Sequence, residues 1–396
     1  MVTQNKYEEK KYITLLTTVL IGLNACESSD LPIQHADSYD YITFAVKTQK
    51  TQTRAQEYEG YNASRHPHTL GVFGYYNLPA HDFTSAEGAN YAIFNNETVE
   101  YDTQSGNWKT EPERKWDDYK NNNFDFFGYM PQNAQASLTK SSTSESTYVL
   151  SIPYTIPQLN GKPSPILFEK DLSEAPIICA QPEHKEGTTA AGTEKTFERV
   201  VEMKFDQTMT GYYLNFQLDT RMNKLRHFRI RGVKIYGTLP TGGTLSRSYT
   251  FNGNSWTAEN IKWTDLQTKE FDATNGIALA KDKDAENPAS PKEGEALDIN
   301  DLDFYRWGAT FYAPSTTLFV PTIAVTYDVT MEDENKKEIT TRENVTSTII
   351  LNQQYFSTLK PESTATIYPI RILIQPRFLY VLADQDAWSG FLLIDK

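Results

Sequence analysis

From residue 41 onward the apolar residues come in short runs of strand length. Among them are GVFGYY (71–76), FDFFGYMP (124–131), TYVLSIPYTIP (147–157), VVEMKFDQTM (200–209), YYLNFQLD (212–219) and FRIRGVKIYG (228–237). Gly, Pro, Asn and Ser clusters separate them at spacings suited to a sandwich. Stretches with helical periodicity are short and fall around 173–179 and 219–225. A chain patterned this way buries its apolar faces by stacking sheets, so the fold class expected is all-β. Later runs, SRSYTF (246–251), TLFVPTIAVTYDVTM (317–331), ENVTSTIILN (343–352), TIYPIRILI (366–374) and RFLYVLA (377–383), carry the pattern onward.

At 396 residues the chain is long enough for two domains. The stretch GTLPTGGTLS (237–246), rich in Gly and small polar residues, signals a boundary, giving halves at 55–238 and 239–396. KDKDAENPASPKEGEALDINDLD (281–303) reads as a long surface loop. Aromatic residues make up 13% of the chain, which is burial material that a disordered polymer lacks. The formal charge of −13, with no long basic run, disfavours a nucleic-acid partner.

The first residues form a graded signal. Lys6, Lys10 and Lys11 precede an apolar run at 12–23, too short to span a bilayer but fitted to the core of a signal peptide. That run ends in Leu23-Asn24-Ala25-Cys26, which resembles a bacterial lipobox. Residues 1–25 are therefore expected to be a lipoprotein signal peptide, with lipid on Cys26 and a tether following. Cys179 then has no disulfide partner and, within APIICA, reads as a small buried hydrophobe.

The segment YITFAVKTQKTQTRA (41–55) changes character halfway. Ile42, Phe44 and Val46 alternate with more polar neighbours, the period of a strand with one buried face. A polar tether follows and ends in an Arg54-Ala55 bond open to an arginine-specific protease. Removing a strand that fills a sheet exposes unpaired backbone groups and an apolar groove, and such a groove demands a replacement.

Catalytic signatures are not found. There is no HExxH, GxSxG, Walker glycine loop or CxxC. His66 and His68 in RHPH form an incomplete ligand set, and DINDLD (298–303) lacks the glycine and distal Glu of a calcium loop. No catalytic, cofactor-binding or metal-binding residue is assigned, and no enzymatic role is expected. Two carboxylates of a glycosidase meet in space without a local motif, so that reading stays open until side chains are placed. Trp108, Trp116 and Tyr119 stand in polar company, where they could stack on a sugar or cover a sheet edge.

The stretch 94–131 resembles the fimbrillin-like lipoproteins, the type V pilins of oral and gut anaerobes, through Trp108, Trp116, Phe126, Phe127, Tyr129 and Pro131. APIICAQPEH (175–184), VVEMKFDQTMTGYYLNFQLD (200–219) and LRHFRIRGVKIYG (225–237) follow in the family's order. Asp206 and Gln207 stand where that family often has a Lys-His pair.

The resemblance implies two tandem transthyretin-like β-sandwich domains with Greek-key-type connections. It implies export as a lipoprotein, held at the outer membrane by lipid on Cys26, and removal of 26–54 by a trypsin-like surface protease cutting after Arg54. Ile42, Phe44 and Val46 would leave a groove for a strand from another pilin subunit, building a fimbrium at the cell surface. The candidate donor is Phe391, Leu392, Leu393 and Ile394, with 371–383 as the longer alternative. The rival reading is a surface glycan-binding lipoprotein or a tip or anchor adhesin that meets a host glycan or protein. In the uncut chain, residues 41–47 are expected within the first domain's sheet, beside the strand near 228–236.

Overall fold

The structure is a computed structural model that describes residues 41–50, 57–77, 91–116, 123–144, 146–158, 164–185, 200–219, 226–279, 297–299, 305–316, 319–350 and 367–374. These form 22 strands, numbered here in chain order, and one six-residue 3-10 helix at Glu169–Glu174. The chain is all-β.

The first sheet runs β2 (Tyr58–Gly60), β1 (Thr43–Gln49), β12 (Val200–Gln207), β10 (Ile177–Cys179), β6 (Phe124–Met130), β3 (Thr69–Tyr76), β4 (Ala92–Asp102), β5 (Asn107–Thr110), with β11 (Glu183–Lys185) also on β6. Every residue of β6 is buried, because both of its faces are covered. On one face Phe127 packs against Tyr249 and Trp256, which belong to an opposing layer. That layer holds β7 (Ser137–Lys140), β8 (Thr147–Thr155), β15 (Trp256–Ala258), β16 (Lys262–Phe271) and the second half of β14 (Arg226–Phe251). On the other face the sheet curls on itself: Phe126 meets Trp116, Phe94 of β4 and Phe44 of β1.

A second pair of layers encloses a separate core. One layer is ordered β22 (Ile367–Ile374), β13 (Met209–Leu218), β19 (Tyr305–Pro314) and β9 (Leu167–Phe168). The other joins the first half of β14 to β20 (Thr322–Glu332), with β21 (Glu338–Ile350) outside β20 and the short β17 (Ile277–Ala278) and β18 (Leu297–Ile299) also on β14. Leu214, Phe216, Phe228, Ile230, Trp307, Ile323 and Ile370 meet in this core.

The chain passes between the cores at Thr208 between β12 and β13, along β14 and again along β16, which runs from Trp263 in the first core to Phe271 in the second. Residues 226–236 of β14 pair with β20, and 242–250 pair with β8. The 238/239 boundary read from the sequence thus falls inside one strand. Gly237, at φ +122°, turns the backbone where L-residues are strained, and at Gly242 a Cβ would sit 2.5 Å from the Tyr154 carbonyl oxygen. These glycines serve bends and a close approach within a strand, which composition cannot distinguish from a linker. The helical expectation at 173–179 is also corrected. The 3-10 turn ends at Glu174, and Ile177, Ile178 and Cys179 extend as β10 because β6 and β12 flank them. The residues around 219–225 lie mostly outside the described residues.

Candidate functional site

Strand β1 occupies the slot that closes the curled sheet. It lies parallel to β12 from Thr43 opposite Val200 to Thr48 opposite Phe205. This corrects the expectation of a neighbour near 228–236, whose strand instead pairs with β20 in the second core. Alternation fixes which face a strand buries but carries no label for its neighbour, and a parallel partner is necessarily distant along the chain.

Ile42, Phe44 and Val46 are buried, with 3%, 6% and 6% of their surface exposed. The Phe44 ring stands edge-on to Phe94 at 5.6 Å and to Phe126 at 6.2 Å, so it reaches across the curl to β4 and β6. At the entry, the Ile42 N–H donates to the Arg114 carbonyl oxygen at 2.8 Å, and Tyr41 bridges Lys115. On the outer face Lys47 Nζ lies 2.8 Å from Glu202. That hydrogen bond holds the Glu202 carboxyl below its ordinary range, against partial desolvation.

Beyond β1 the Lys50 N–H donates to the Glu57 carbonyl oxygen at 2.7 Å, and β2 then runs back along β1 with Lys47 opposite Gly60. The two ends of 51–56 are therefore tied together. Arg54 and Ala55 lie within that stretch, outside the described residues. Cys26, the candidate donor residues Phe391, Leu392, Leu393 and Ile394, and Tyr119 are also outside the described residues.

A buried polar cluster underlies the far end of the slot. Arg247 Nη1 donates to Asp206 Oδ2 at 2.6 Å and to the Cys179 carbonyl oxygen at 3.1 Å, while the Tyr58 hydroxyl of β2 donates to Asp206 Oδ1 at 2.7 Å. Cys179 Sγ lies 3.0 Å from the Tyr249 hydroxyl, and burial pushes the thiol up from its ordinary value. Burial, helped by the Asp206 carboxylate, likewise raises the Tyr58 phenol. A high, buried thiol is a poor nucleophile, and the Asp206 carboxylate is held by Arg247 and Tyr58 in a closed interior. The cluster suits anchoring more than chemistry. It also accounts for Asp206, which faces Arg247 here. The sequence reading missed Arg247, although a signal existed: it shares strand parity with Leu245 and Tyr249, both fully buried.

The other candidates are placed as follows. Trp108 and Trp116 are 7% and 6% exposed. Trp108 packs with Tyr61 and Tyr101, and Trp116 stands edge-on to Phe124. Neither indole offers an open face to a sugar. His66 is buried and His68 is exposed. Asp125, buried in β6, accepts from Trp256 Nε1 at 2.6 Å and lies 2.7 Å from His184 Nδ1. No group of three His, Cys, Asp or Glu among the described residues is arranged to hold a metal ion. No helix among the described residues is long and apolar enough to cross a membrane.

No protein-family model matches the chain and no curated protein matches it. Among solved structures, a fimbrial protein from Bacteroides vulgatus superposes with a TM-score of 0.45 at 14% identity, covering 84% of this chain and 95% of that one. A candidate cell adhesion protein from Bacteroides ovatus gives 0.35 at 14% identity, covering 85% and 92%. A fimbrial protein from the same organism gives 0.36 at 9% identity, covering 84% of this chain and 49% of that one. The all-β assignment stands on the strand ladders themselves.

Proposed function

We propose that the chain is a structural subunit of a cell-surface fimbria that assembles by exchanging β1 for a strand of a neighbouring subunit. The observation that carries this reading is the pairing of β1, a buried stave of the curled sheet, with a tether whose ends meet at Lys50 and Glu57 and which contains the Arg54-Ala55 bond. Cutting there separates β1 from β2 without breaking any other strand connection. β2 keeps an anchor of its own in the Tyr58 hydrogen bond to Asp206. The vacated slot exposes Phe94, Phe126 and the β12 edge.

A replacement strand that buries three side chains like Ile42, Phe44 and Val46 recovers roughly 1.5–3 kcal/mol from each. Ladder hydrogen bonds add about 0.5–1.5 kcal/mol net apiece. Such a junction dissociates slowly. Until cleavage, the chain's own strand blocks polymerisation. Export with lipid on Cys26, cleavage by a trypsin-like surface protease and residence at the outer membrane complete the reading. The two sandwich units form the body of the subunit.

Incubating the full chain with a trypsin-like protease tests this. The expected result is a new N-terminus at Ala55 and a ladder of oligomers on a denaturing gel run without boiling, both abolished by Arg54→Ala. Trimming that yields only monomers would overturn polymerisation and favour the tip, anchor or glycan-binding reading.

A further inference from the structure

We infer that the slot reads a side-chain amide at its far end, and that the segment seated there in a second copy of this chain is residues 378–385. This rests on the strand-exchange reading above and names the occupant.

The ladder between β1 and β12 ends at Thr48 opposite Phe205. Past that point Gln49, only 3% exposed, turns its side chain to β12, and its Oε1 accepts the Gln207 N–H at 3.3 Å. The amide thus satisfies a β12 donor beyond the end of the backbone ladder. An occupant with an aliphatic residue there leaves that N–H unpaired, and one slipped by a residue turns its apolar set to the wrong face. Gln49 therefore sets both affinity and register.

The slot's requirement is an extended segment, parallel to β12, with large apolar residues at positions i, i+2 and i+4 and Gln at i+7. Ile42, Phe44, Val46 and Gln49 supply it in the uncut chain. Two other stretches of the sequence match. Tyr368, Ile370, Ile372 and Gln375 form one, and 367–374 is already built in as β22, parallel to β13 just as β1 is parallel to β12. Phe378, Tyr380, Leu382 and Gln385 form the other. The run at Phe391 fails, because Asp395 or Lys396 would fall at the third apolar position. One feature of 378–385 fits less well: Asp384 takes the place of Thr48, which is fully buried and whose Oγ1 has no hydrogen-bond partner among the described residues.

The test uses the full chain with residues 51–55 rewritten as a site for a sequence-specific protease. After cutting, it is mixed in urea below the unfolding midpoint with fluorescent peptides spanning 41–50, 377–386 or 388–396, returned to buffer, and chased with unlabelled peptide. The first two peptides are expected to lodge, with residence times cut about tenfold by Gln49→Ala and by Gln385→Ala. Asp384→Thr is expected to lengthen residence, and the 388–396 peptide to leave fastest. Peptides without the amide that leave as slowly as their parents would overturn the amide readout while leaving strand exchange intact. A 388–396 peptide that outlasts 377–386 would overturn the assignment of the occupant. If even the 41–50 peptide never lodges, the removable-strand reading falls and this inference falls with it.

Discussion

Two buried polar residues carry consequences that can be measured on single side chains. Asp206 and Arg247 are 4% and 9% exposed, and each is the other's counter-charge. Asp206→Ala leaves a buried guanidinium without its carboxylate, at an expected cost of about 3–5 kcal/mol in urea denaturation. Asp206→Leu combined with Arg247→Leu should recover most of that, and a double-variant loss equal to the sum of the two single-variant losses would show that the pair is not coupled. His66 gives a pH signature. Burial, reinforced by Arg65, lowers its imidazole to about 4 from 6.5. The unfolded chain then takes up the proton first, so the contribution is present above pH 6.5 and fades as pH falls toward 4. Across that window up to about 3 kcal/mol is at stake. Urea midpoints should drop over this range in the native chain and drop less in His66→Gln.

At the level of strands, β1 and β14 behave differently from ordinary sheet members. Phe44→Ala in the uncut chain removes a ring packed against Phe94 and Phe126, with an expected loss of about 3–5 kcal/mol in denaturant unfolding. After tether cleavage the same variant should release residues 1–54 faster, which size-exclusion chromatography would record. Gly242→Ala places a Cβ 2.5 Å from the Tyr154 carbonyl oxygen, whereas at Gly60 nothing lies within 4 Å. The first substitution should therefore destabilise well beyond the second. These strands also mark what the sequence made legible. The alternation of Ile42, Phe44 and Val46 was enough to expose β1 and its buried face, because burial on one side leaves a period-two trace. Its parallel neighbour, Val200–Gln207, left none. Gly237 and Gly242 looked like punctuation, since a glycine is equally suited to ending a strand and to letting two backbones touch. Arg247 could have been found by parity with Leu245 and Tyr249, but a lone charge among polar neighbours reads as surface until its partner is placed.

For the molecule as a whole, the two cores are joined by continuous strand, so disorder in one is expected to spread to the other. Trp256 reports on the first core and Trp307 on the second, and each is 2% exposed. Fluorescence of variants keeping one or the other should give superimposable urea transitions, and two separated midpoints would show that the cores melt independently. The alignment of β1 with β12 would matter in another way if the proposed strand exchange builds a thread. An occupant running alongside its host, tugged lengthwise, must shear its whole row of contacts together, whereas one lifted sideways would peel them off in succession. Under the proposed strand exchange, a subunit chained to its neighbour through this slot would be oriented to resist flow along the thread, and an enzyme or chaperone meant to disassemble it would do better to pry from the end at Tyr41.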